Sequence, residues 1–101
     1  MNVVIVNGII LNMKVNIEAT FQLRGFELNL SSEEIKEIVK KLSEAKKGTY
    51  IVRIEGKHFA PKDVLYEVIK RKKVNLTKLD FTTQDAIRVL RKLGFDAIEE
   101  R

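Results

Sequence analysis

At 101 residues and 45% apolar content, the chain is long enough for one domain with a modest core and too apolar for disorder. It has no cysteine and one histidine, which excludes a disulfide framework, a thiolate metal site and a paired-histidine site. Its net charge of +5, from 19 basic and 14 acidic residues, points toward a polyanionic partner only if the excess is localised.

Taken in chain order, residues 3–6 and then 11–23 have strand character. From 11 to 23 every odd position is apolar (Leu11, Met13, Val15, Ile17, Ala19, Phe21, Leu23), and every even one is polar or charged. That period of two predicts a half-buried strand over the whole stretch. Asn7-Gly8 and Arg24-Gly25 supply turns on either side. Beyond Gly25 the apolar parity shifts to Phe26, Leu28 and Leu30, so residues 1–30 read as a three-stranded antiparallel meander. The first thirteen residues are apolar, but they lack a basic leader and are too short to span a bilayer. The expectation is a soluble cytoplasmic protein with no membrane partner.

Ser31 and Glu34 make a capping box for a first helix, whose stripe is Ile35, Ile38, Val39 and Leu42 and whose end is expected at Gly48. Glu33–Lys36 and Glu37–Lys41 stand at pairing distance along it. Tyr50, Val52 and Ile54 alternate as a strand, and Glu55-Gly56 turns the chain back through residues 57–60. Pro61 suits a first helical position, and Val64, Leu65, Val68 and Ile69 give the second helix its apolar face. That helix ends in Lys70, Arg71, Lys72 and Lys73, cations that favour a helix C-terminus. Leu76 and Leu79 in the connector are expected to tuck under it. A third helix is marked at both ends, by Thr82 with Asp85 and by Gly94 with Phe95. Its stripe is Ala86, Ile87, Leu90 and Leu93, with Gln84, Arg88, Arg91 and Lys92 outside it. A short strand over residues 95–98 closes an α+β fold of one domain, a meander at 1–30 followed by an α/β module at 31–101.

The stretches GKHFAPKDVLYEVI (56–69) and LDFTTQDAIRVLRKLGF (79–95) resemble the N-terminal head domain of McrA-type HNH restriction endonucleases, which act on modified DNA. The matching positions are Gly56, Lys57, Phe59 and Lys62 at a hairpin entering a helix, then Phe81, Leu90, Leu93, Gly94 and Phe95. The likeness covers residues 32–98. The meander lies outside the pattern, and neither a nuclease nor a modification-reading domain follows. The resemblance implies a DNA-associated accessory module of defence or mobile-element proteins, without catalysis of its own.

The charge is indeed localised. Residues 57–92 carry ten basic and four acidic groups, a net +6, while 1–31 sum to zero, 32–56 to +1 and 93–101 to −2. Abundant Lys, Glu, Ile and Val suits a heat-adapted protein, which explains the number of charges but not their concentration. The candidate nucleic-acid contacts are Lys57, Lys62, Lys70, Arg71, Lys72, Lys73, Gln84, Arg88, Arg91 and Lys92, with DNA favoured over RNA. Phe59 is either core or an aromatic set between Lys57 and Lys62, and Lys62 in a first helical turn is placed to hold a phosphate beside the amides there. The second and third helices admit a helix-turn-helix variant, although their connector exceeds the usual three or four residues. Lys14 and Arg24 are read as bystanders. Glu55-Gly56-Lys57 resembles a nuclease Glu-x-Lys element but lacks a strand aspartate to share Mg²⁺, and lone His58 has no partner, so no enzyme, metal or cofactor is expected. The competing class is an interaction module whose meander edge pairs with a partner or with a second copy in a homodimer.

Overall fold

The computed structural model describes residues 3–6, 9–12, 16–45 and 50–99. Their order is β1 (Val3–Val6), β2 (Ile9–Asn12), β3 (Glu18–Leu23), β4 (Phe26–Ser31), α1 (Ser32–Val39), β5 (Tyr50–Ile54), β6 (Lys57–Phe59), α2 (Pro61–Arg71), a 3₁₀ turn at Lys78–Asp80, α3 (Thr83–Lys92) and β7 (Asp96–Glu99). The α+β class is as the sequence predicts. No helix among the described residues is long and apolar enough to cross a membrane.

The three-stranded meander does not form. β1 pairs with β2, β3 pairs with β4, and a separate antiparallel sheet has the order β6-β5-β7. Residues 11–23 are therefore not one strand, and Met13, Lys14 and Val15, like the Asn7-Gly8 turn, lie outside the described residues. Alternation tells which face of a strand is buried and not which strand lies beside it, so an unbroken pattern conceals a change of partner. Within β3 the parity holds: Phe21 and Leu23 are buried while Glu18, Thr20 and Gln22 are exposed. Arg24 and Gly25, at φ 50° and 83°, join β3 to β4. Glu55 and Gly56, at 52° and 78°, join β5 to β6. Two consecutive left-handed residues are what a two-residue hairpin of the type I′ kind requires.

α1 begins as its sequence dictates. The Ser31 hydroxyl accepts from the Glu34 amide, and the Glu34 carboxylate accepts from the Ser31 amide. Its end comes earlier than predicted, at Val39, and Leu42 is only half-buried. The amides of Lys41 and Leu42 bond three residues back, tightening the last turn. The chain then leaves to meet β6, where the Ala45 amide donates to the His58 carbonyl at 2.9 Å and Glu44 accepts from the His58 amide at 3.4 Å. The helix thus ends before the chain reaches that strand edge. Glu37 pairs with Lys40 at 2.9 Å, and the predicted Lys36–Glu33 pair forms at 3.7 Å.

α2 and α3 match their predicted stripes, with Val64, Leu65, Val68 and Ile69 on one and Ala86, Ile87 and Leu90 on the other fully or nearly fully buried. Both end in the same double bond pattern. Gly94 (φ 92°) donates to Arg91 and Phe95 to Leu90; Lys73 (φ 57°) donates to Lys70 and Val74 to Ile69. Leu76 is buried in the connector as predicted, but Leu79 is 93% exposed. Thr77 and Asp80 cap the 3₁₀ turn from both sides, and that geometry directs Leu79 outward.

α2 and α3 pack on the sheet face formed by Val52, Ile54, Phe59 and Ala97, and α1 packs on α2 and β4. Phe21, Leu23, Leu28 and Leu30 of the β3–β4 hairpin join the same buried cluster, so the hairpin and the helices share one core.

Candidate nucleic-acid interface

The direction of the two basic helices decides what their cations can do together. α3 starts beside the first turn of α2: Pro61, Lys62 and Thr83 line one shallow hollow with Tyr50, and the Lys62 ammonium stands 5.5 Å from the centre of the Phe81 ring. Lys78, just before α3, pairs with Asp63 in the first turn of α2. A helix-turn-helix pair would instead place the start of the second helix beside the end of the first. The two helices thus run from a common beginning toward a common end.

That end can be traced contact by contact. Lys72, closing α2, pairs with Glu34 in the first turn of α1 at 2.8 Å. Ser32 of α1 exchanges two hydrogen bonds with the Ile17 backbone, its amide to the carbonyl at 2.8 Å and its hydroxyl from the amide at 2.9 Å. Ile17 in turn lies so close to Gly94, after α3, that a Cβ there would come within 2.7 Å of its Cδ1. Lys70, Arg71, Lys72 and Lys73 therefore share one end of the molecule with Arg91 and Lys92. Lys62 and Gln84 sit at the opposite ends of their helices. Lys57 lines a groove of about 290 Å³ between α1 and the β5–β6 hairpin. The ten candidate residues do not form one face.

Acidic neighbours reduce the set further. Glu67 binds Lys70 at 2.8 Å and holds its ammonium above the ordinary lysine value through that hydrogen bond. Asp85 lies 3.5 Å from Arg88, and Glu34 neutralises Lys72. Arg91 is turned back on the protein, donating from Nε at 3.0 Å and from Nη2 at 2.6 Å to the Ala97 carbonyl of β7. It is a positioning residue for that strand as much as a surface charge. Arg71, Lys73 and Lys92 are exposed and have no ion pair among the described residues.

The residues weighed for catalysis occupy different surroundings. Glu55 stands in the left-handed turn and faces Lys36 at 3.7 Å. His58 Nε2 accepts from Arg53 Nε at 3.4 Å across the β5–β6 pair. Among the described residues no three His, Asp or Glu side chains gather as a metal set. Phe59 is buried at 2% exposure, which settles its two alternatives in favour of the core.

No family model matches the chain, and no curated protein or solved structure matches it. The interface rests on the geometry above.

Sequence reasoning missed three residues that organise this region. Arg24, read as a bystander, donates from Nε to the Asp80 carbonyl and ties the β3–β4 hairpin to the turn before α3. Glu34 doubles as cap and counter-ion, and Val89 is fully buried although it lies outside the predicted stripe. Only the Glu34 cap had a local signal.

Asp85 links this region to pH. The Thr82 amide and hydroxyl, with help from Arg88, hold its carboxyl below the ordinary carboxylate range. A carboxylate with a depressed folded pKa stabilises the protein above its unfolded value of about 3.9 and loses that contribution as the pH falls through the folded value. Asp85→Asn should therefore lower the unfolding free energy at pH 7 by about 0.3–1 kcal/mol, the worth of a carboxylate charge in a first helical turn. The difference from the parent should shrink in melts recorded progressively below pH 4. A constant difference down to pH 2 would remove Asp85 from the cap.

Proposed function

We propose that the chain is a nucleic-acid-binding module without catalysis of its own, acting on the phosphate backbone of DNA through the end where α2 and α3 finish. The observation that carries this reading is the convergence of two helix C-termini whose cations exceed their acidic neighbours: Arg71, Lys73 and Lys92 are exposed and make no ion pair among the described residues, next to the neutralised Lys70 and Lys72. Helix-terminal cations complement the dipole of their own helix, and that accounts for one or two of them at each end. It does not account for two such ends placed together, where like charges repel unless an anion lies between them. The resemblance to the head domain of McrA-type endonucleases supports DNA over RNA and an accessory role in a defence or mobile-element setting.

Titration of a labelled DNA duplex at several salt concentrations tests the proposal. About three phosphate contacts give a slope of log K against log salt near −3. A slope near zero, or no binding at low salt, would leave the basic end as a solvated surface.

A further inference from the structure

The β1–β2 ribbon combines a two-stranded sheet with an almost wholly apolar composition. Its register pairs Val3 with Asn12, Val4 with Leu11, Ile5 with Ile10 and Val6 with Ile9. Residues on a strand alternate between faces. One face of the ribbon therefore carries Val4, Val6, Ile9 and Leu11, and the other carries Val3, Ile5 and Ile10 with Asn12. An amphipathic hairpin docked on its own body needs one apolar face, whereas this one has two. An isolated two-stranded ribbon is at best marginally stable in water, and among the described residues no third strand pairs with β1 or β2.

The charge pattern identifies what covers it. Residues 1–13 contain no charged residue, in a chain that is 33% charged overall, and no proline. Strand edges left open in monomeric proteins are protected by lysine, proline, bulges or covering elements. β1 and β2 carry neither lysine nor proline. In a protein of net charge +5, this is also the stretch that can meet its own copy without like-charge repulsion. We propose that residues 3–12 are a self-association element, and that the ribbon of one copy is covered by the ribbon of a second copy in a homodimer. This does not depend on nucleic-acid binding, because the basic end is formed by other elements.

Sedimentation of the full chain without nucleic acid tests it, with a Val4→Lys, Ile5→Lys variant that charges both faces. The parent is expected at twice the 11.6 kDa chain mass and the variant at the single mass. Thermal melts of the variant at matched concentration report whether the remaining fold is intact. A second measurement does not rely on the variant. The chain has no cysteine, so an Asn12→Cys spin label reports directly on the approach of two ribbons. Dipolar coupling between copies supports the proposal. A parent that sediments as a monomer, a dimer that persists in the variant, or a label without intermolecular coupling overturns it.

Discussion

Phe59→Ala is expected to lower the unfolding free energy by about 3–5 kcal/mol, the cost of deleting a large buried aromatic and leaving a cavity. Phe59 is 2% exposed and stands opposite Val52 in the β5–β6 register, on the sheet face that receives the helices. Two residues earlier on the same short strand, Lys57 is exposed, and Lys57→Ala should change stability by no more than about 0.5 kcal/mol. A domain of this size has only about 5–15 kcal/mol to lose. The first variant should therefore shift the urea midpoint strongly or abolish the folded baseline, while the second overlays the parent. Equal midpoints for the two would remove Phe59 from the core.

What the sequence made legible was local. The capping boxes at Ser31/Glu34 and Thr82/Asp85, the proline opening α2 and the Gly94-Phe95 stop each involve residues within a few positions of one another, so their spacing alone specifies them. The stripes of α2 and α3 were legible for a similar reason, since a helix facing one core repeats its apolar residues at fixed intervals. Partnership was not legible. Nothing in residues 11–23 marks the change from pairing with β1 to pairing with β4, and nothing near Val39 announces that Ala45 will bond to His58. The candidate interface failed in the same way. Ten residues close in sequence were divided between opposite ends of the helices, and Glu34 from another helix and the Ala97 carbonyl engaged two of the cations. Net charge by segment counts groups and cannot show which of them already have partners.

Neutralising the converged end should abolish most of the binding. In Arg71→Gln, Lys73→Gln, Lys92→Gln, three exposed cations are removed without reversing the favourable sign at either helix terminus. Each phosphate contact contributes roughly 0.9 to the slope of log K against log salt, so the slope should flatten by about 2.7. At about 0.1 M salt that corresponds to a fall of several hundred-fold in affinity. The melting temperature should hardly move, because all three side chains are exposed and none makes an ion pair with a described residue. The matched control, Lys62→Gln with Gln84→Ala, changes residues from the same basic segment that lie at the helix starts, away from this end, and its slope should equal the parent's. Arg91→Ala should differ from both, lowering the melting temperature because the Ala97 carbonyl loses both guanidinium donors, with a smaller effect on the slope. If the control weakens binding as much as the triple variant, the contact surface is not the end shared by α2 and α3. If neither does, affinity for DNA lies outside the basic helices altogether.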